Sequence, residues 1–72
     1  MSDHDHDLTA LDQARMALPV GTRCRWDGTD STFEGDVRDV FDKRSGKIMV
    51  ALENDHGLIH VYPVTERLRN MT

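Results

Sequence analysis

The chain has too little cysteine to be stabilised by a disulfide or by a cysteine-ligated metal ion. Cys24 is the only cysteine, so a disulfide within the chain is excluded, and no Cys/His spacing suggests zinc. No stretch approaches the roughly 18–20 apolar residues of a membrane span. The N-terminal "MSDHDHD" is acidic and lacks an apolar run, so we expect no signal peptide and no membrane. Because a lone cysteine fits a reducing compartment, we expect a cytoplasmic protein.

Positive charge is also scarce. The 72 residues carry 9 Lys and Arg against 13 Asp and Glu, a formal net charge of −4. Residues 1–18 hold four aspartates and one basic residue, Arg15, so the acidic excess is concentrated there. Proteins that bind the nucleic-acid backbone normally carry a basic excess. The composition therefore disfavours nucleic acid as a partner.

Signatures of side-chain catalysis are missing as well. The sequence has no paired carboxylates, no Ser/His/Asp set and no Gly-rich dinucleotide fingerprint. Cys24 has no acid–base partner nearby in the sequence, so we interpret it as a buried structural thiol. If the chain is an enzyme, it has no obvious general acid or base.

What is present divides into an acidic arm and a β-rich body within one domain. We expect residues 1–18 to be a flexible arm, whose "LTALDQARMALP" segment can form a short helix. Thr9 can cap this helix, Pro19 ends it, and Leu8, Leu11 and Leu18 fall near one face. Because the apolar stretch is short, we expect removal of the arm to leave the fold intact.

Residues 19–72 read as short alternating runs separated by turns. The pattern predicts five strands, at residues 22–26, 32–41, 47–53, 58–62 and 67–71. Gly35, inside the long second strand, suggests a bulge or a close backbone approach. Five short strands with one long bent strand predict an all-β fold, an SH3-like five-stranded small barrel. An OB-type barrel is the competing fold, although it usually needs a longer chain.

The third and fourth predicted strands are apolar on both faces. Ile59 and Val61 alternate with His60 and Tyr62 along "LIHVY". We expect Ile59 and Val61 to fill the barrel core and His60 and Tyr62 to line a cavity on the opposite face. The sheet of a small monomeric protein should expose one polar face to water. We therefore expect self-association, as a dimer at least and as a tetramer in the fullest form.

Three segments together resemble one enzyme family. "GTRCRW", "FEGDVRDVF" and "HGLIHVYPV" occur in this order between Gly21 and Arg69. The set resembles the plasmid-borne type II dihydrofolate reductases, which are small SH3-like barrels associated with trimethoprim resistance. The resemblance implies a homotetramer around one pore that binds NADPH and dihydrofolate, with solvent supplying the proton.

The resemblance also implies roles for particular residues. Val61 would offer backbone contacts to the ligand rings, with Ile59 and Tyr62 beside it on the same strand. His60 stands where the family has a glutamine. Trp26 stands where it has a lysine, so Arg25 becomes the nearest replacement cation. The subunit contacts would involve Val40, Met49 and His56. Val40 stands where the family has a tryptophan.

Two other functions remain open from the residues alone. The second hypothesis, after the reductase, is a non-catalytic SH3-like module whose "LIHVY" face binds a partner protein, and a third and weaker one is a nucleic-acid-binding barrel. His60 is then a packed or interface histidine. Solution mass separates the first two hypotheses, because a monomer has no shared pore.

Overall fold

One short helix precedes five strands in the computed structural model, which describes residues 9–44 and 46–72. The elements are α1 (Ala10–Ala17), β1 (Arg23–Asp27), β2 (Thr32–Asp42), β3 (Ile48–Glu53), β4 (Ile59–Pro63) and β5 (Leu68–Asn70). The five predicted strands are confirmed, and their bounds shift by one residue at most. The helix expected in the arm is also present, whereas Leu8 lies outside the described residues.

The strands form a single antiparallel sheet in the order β4-β3-β2-β1-β5. Consecutive strands are neighbours from β1 to β4, and β5 returns to the free side of β1. The sheet is not closed, so β4 and β5 are its two edges. The structure is therefore mostly β, as the sequence predicts, with one open sheet and one helix.

Gly35 marks a close backbone approach. A Cβ atom at this position would lie 2.7 Å from the carbonyl oxygen of Glu53, much closer than any side chain tolerates. The irregularity in the β2–β3 ladder lies further along, between Val37 and Asp39. Of the two alternatives predicted for Gly35, the structure selects the close approach.

The turn between β3 and β4 is fixed by Asn54. Its side-chain oxygen accepts hydrogen bonds from the backbone N–H groups of His56 and Leu58, both at 2.9 Å. Gly57 follows with φ +81°, a backbone conformation that other residues adopt only with strain. This turn sets where β4 begins and places His56 on the exposed tip of the hairpin.

The core lies on one face of the sheet, which we call the inner face. It is built from Leu18, Cys24, Val37, Val40, Val50 and Leu52. Val40 is 3% exposed and Met49 is 8% exposed within a single chain. Both were expected at a subunit contact, and each is already buried within a single chain, so the contact itself stays a prediction.

Helix α1 is docked against the sheet. Thr9 caps it, since the Asp12 N–H donates to Thr9 Oγ1 at 3.1 Å and the Asp12 carboxylate accepts from the Thr9 N–H. Arg15 Nε donates to the Val40 carbonyl at 3.0 Å, and Leu18 is 8% exposed within the core. The expectation that residues 9–18 belong to a free arm is therefore corrected.

Candidate functional site

The register of β4 on β3 decides which side chains of "LIHVY" face inward. His60 lies opposite Leu52, and Tyr62 lies opposite Val50, so both share the inner face with fully buried residues. Ile59 and Val61 point the other way and are 49% and 48% exposed. His60 and Tyr62 do share a face, as predicted, but Ile59 and Val61 do not fill the core.

Four rings gather at the open side of the inner face, and we call them the aromatic cluster: Trp26, Phe33, His60 and Tyr62. Trp26 stacks on Tyr62 with ring centroids 4.8 Å apart and planes 14° apart. Phe33 stacks on His60 at 4.3 Å and 10°. The Phe33 and Tyr62 rings are tilted at 48° and their centroids are 5.9 Å apart, which joins the two stacks into one group.

The sheet must curl to bring these rings together. Trp26 belongs to β1 and Tyr62 to β4, and two strands separate them in the sheet. In a flat sheet these strands would lie about 14 Å apart, too far for ring contact. The stacks therefore join the edge strand β4 to β1 and β2 across the curled sheet. They leave His60 exposed and the other three rings half-buried.

A hydrogen bond links the two polar members of the cluster. His60 Nδ1 and Tyr62 Oη are 2.9 Å apart. Burial raises the pKa of the Tyr62 phenol, and which of the two groups donates depends on the tautomer of the imidazole. If Nδ1 accepts from the hydroxyl, the ring hydrogen is on Nε2, which is then a donor. The cluster thus offers flat ring faces and a single polar edge.

Arg25 does not join the cluster. It alternates with Trp26 along β1, so its side chain leaves the opposite face of the sheet. Arg25 Nε donates to Asp27 Oδ1 at 2.9 Å, and the second oxygen of Asp27 accepts from Arg69 at 2.8 Å. The prediction that Arg25 replaces a cation beside Trp26 is corrected, because its charge is already paired and faces elsewhere.

Phe33 is the one member of the aromatic cluster that was not predicted as a site residue from the sequence. It lies directly opposite Trp26 in the β1–β2 pair, and residues directly opposite in an antiparallel pair share a face. The segment "DGTDS", residues 27–31, contains an Asp-Gly pair that is typical of a turn between two paired strands. Applying that register to the sequence would have placed Phe33 beside Trp26.

The outer side of β4 carries unpaired peptide groups. Asn54 N–H donates to the Leu58 carbonyl, and Val64 N–H donates to the Ile48 carbonyl. Hydrogen-bonded pairs alternate along an antiparallel ladder, so His60 and Tyr62 supply the bonds to β3. The N–H and C=O groups of Val61, like those of Ile59, point away from the sheet.

Other chemistry is sparse in the part of the chain that the structure describes. No group of three or more His, Cys, Asp or Glu residues there is arranged to hold a metal ion. Cys24 is buried, and this burial raises the pKa of its thiol, which opposes nucleophilic use. No helix within residues 9–44 and 46–72 has the length and apolar character needed to cross a membrane.

These features define a small antiparallel β sheet with one short helix and a partly exposed aromatic cluster. No protein-family model, curated protein or solved structure matches the chain. Function is therefore inferred from the aromatic cluster and from the resemblance in sequence.

Proposed function

We propose that the chain is an SH3-like barrel that assembles as a homotetramer and binds flat heteroaromatic ligands at the aromatic cluster. The proposed ligands are NADPH and dihydrofolate, as in the type II reductases that the sequence resembles. The observation that carries this proposal is the pair of near-parallel ring stacks, Trp26 on Tyr62 and Phe33 on His60. A further flat ring can extend such stacks at low conformational cost.

Two features of the sheet support the barrel. β5 returns to pair with β1, and the curl that joins Trp26 to Tyr62 brings β4 over β1 and β2. In this proposal the curled sheet is one barrel wall, and the open side that carries the cluster faces the shared site.

The ring of NADPH fits the cluster better than its phosphates do. Three half-buried rings and the exposed His60 offer planar contact, whereas Arg25 is paired with Asp27 on the other face. NADPH supplies the hydride when bound, and the chain's own residues orient the two ligands. His60 and Tyr62 provide hydrogen bonds at the polar edge. Proximity alone can lower a barrier by about 7 kcal/mol or more.

A fluorescence titration tests ligand binding directly. Trp26 is the only tryptophan, so NADPH or dihydrofolate stacked on the cluster should quench its emission. Phe33→Leu should weaken binding about tenfold, whereas Met16→Ala, at an exposed helix position, should not. Unchanged emission at millimolar concentrations of both ligands would exclude the proposed site.

Turnover is measured separately, by oxidation of NADPH with and without dihydrofolate. We expect slow dihydrofolate-dependent oxidation, and faster oxidation after His60→Gln, because an amide presents both a donor and an acceptor to an amide-bearing ring. Binding without turnover in both proteins would retain the site and remove the reductase.

The second candidate is a non-catalytic binding module. The observation that favours it is the pairing of Arg25 with Asp27, which leaves the cluster without that cation for an anionic ligand. Aromatic grooves on SH3-like folds bind proline-rich segments. A proline-rich peptide that quenches Trp26 more strongly than NADPH would select this function.

A further inference from the structure

One arginine near the aromatic cluster is not used by the ion pairs of the sheet. Arg67 is exposed, and among residues 9–44 and 46–72 it forms no ion pair with a carboxylate. Arg25 and Arg69, by contrast, both bind Asp27. A guanidinium presents its donors in a planar fork that matches the oxygens of a phosphate. Arg67 is therefore a cation with donors left for an anionic group.

The backbone of Arg67 is fixed from both sides. Its N–H donates to Thr65 Oγ1 at 3.2 Å, and its carbonyl accepts from the Asp27 N–H at 3.0 Å. The next residue, Leu68, lies opposite Trp26 in the β1–β5 pair. Arg67 is therefore held one residue away from the position that lies opposite a ring of the aromatic cluster.

The side chain of Arg67 reaches the loop that follows the indole of Trp26. Arg67 Nη1 donates to Thr29 Oγ1 at 3.4 Å. Gly28, the residue before Thr29, lies against the indole, since a Cβ atom built there would be 3.4 Å from Trp26 Nε1. The same Cβ atom would be 2.7 Å from the Ser31 carbonyl oxygen, so this position requires glycine. The residue between the indole and Thr29 therefore brings no side chain.

We infer that Arg67 binds the phosphate of a ligand whose flat ring is stacked on Trp26, so that the site selects nucleotides over nucleosides. The ribose, which joins ring and phosphate in a nucleotide, would lie over the backbone of Gly28. Thr29 positions the guanidinium in advance, so less side-chain entropy is lost on binding. The inference rests on the proposed function, because it requires a ring at the aromatic cluster.

Two carboxylates near this arginine limit the gain from a phosphate. Glu66 precedes Arg67 and Asp30 follows Thr29, and both are exposed. Neither is paired with Arg67, but their charge opposes that of a phosphate at low ionic strength. Because exposed charge pairs gain little, we expect the phosphate to strengthen binding about fivefold.

Two ligands that differ only in the phosphate test the inference. Reduced nicotinamide riboside and reduced nicotinamide mononucleotide share the ring and the ribose, and quenching of Trp26 measures the affinity of each. The mononucleotide should bind the parent chain about fivefold more tightly. Arg67→Gln should remove this preference and leave the affinity for the riboside unchanged. Arg44→Gln, which removes the same charge from an exposed site beyond the far end of β2, is the matched control and should retain the preference.

Near-ultraviolet circular dichroism of Trp26 verifies that each variant is folded. Equal affinities of the two ligands for the parent chain, or a preference that persists in Arg67→Gln, would overturn the inference and leave the ring site intact. A preference abolished by an equal concentration of inorganic phosphate would identify a site for free phosphate and also overturn it. Absence of quenching by both ligands would instead remove the proposed function, and the inference with it.

Discussion

The indole of Trp26 and the phenol of Tyr62 stack 4.8 Å apart although two strands lie between their own strands in the sheet. This contact holds β1 and β4 together across the curled sheet. It also makes Tyr62 part of the fold and part of the candidate site, because Tyr62 packs against the core cluster as well as against the indole.

The first prediction concerns this stack. Tyr62→Ala should lower the free energy of unfolding by about 2 kcal/mol, because it removes a half-buried ring and an aromatic pair. Tyr62→Phe keeps the stack and loses only the bond to His60, so it should cost about 1 kcal/mol or less. Urea denaturation followed by Trp26 fluorescence measures both. Equal losses in the two variants would show that the hydroxyl, and not the ring contact, stabilises the curl.

The second prediction concerns the ionisation of Tyr62, the only tyrosine in the chain. Burial raises the pKa of its phenol, so ultraviolet absorbance should report a midpoint above the ordinary value of about 10. The folded state holds this proton more tightly than the unfolded chain does. The contribution to stability is therefore complete below about pH 10 and is lost as the pH rises through the folded-state pKa. A midpoint at or below that of the urea-unfolded chain would contradict the burial of Tyr62.

The third prediction concerns Cys24. Its side chain is fully buried and its thiol pKa is raised, first by burial and then by the charge of Asp36. A thiol-specific reagent should therefore modify the native chain at least about a hundredfold more slowly than the urea-unfolded chain. Rapid modification of the native protein at neutral pH would show that the core around Cys24 opens.

The fourth prediction concerns the helix. Leu18→Ala should lower the free energy of unfolding by about 2–3 kcal/mol, because it empties a core position, and deletion of residues 1–18 should cost at least as much. Met16→Ala, at a site that is 69% exposed, is the control and should change stability by less than about 0.5 kcal/mol. A truncated chain as stable as the full one would restore the view of this segment as a free arm.

Local signals in the sequence were sufficient for the strands but not for their orientation. Turn residues and alternation located all five strands, and Thr9 and Pro19 located the helix. Alternation also placed His60 and Tyr62 on one face. It could not say which face is buried, because Ile59 and Val61 are as apolar as a core requires. That choice depends on the register with β3, where Tyr62 meets Val50.

The candidate site depended still more on long-range structure. Trp26 and Tyr62 are near one another only because the sheet curls, and no short segment of the sequence encodes that curl. The pairing of Arg25 with Asp27, which itself also binds Arg69 of β5, depends on the return of the chain to β1. Leu18 was assigned to the arm because its partners in the core lie far along the chain.

An extra residue in β2 changes which positions along the strand face inward, from odd-numbered to even-numbered. Val37 lies opposite Leu52 and Val40 lies opposite Val50, so Arg38 and Asp39 together span what one residue would span in a straight ladder. Inward positions are odd-numbered before this point and even-numbered after it. A deletion of Arg38 would make the parity uniform and would leave Asp39 opposite Ala51 and Val40 opposite Val50. Because a bulge bends and twists its strand, the extra residue shapes β2 without changing which side chains on either side of it face inward.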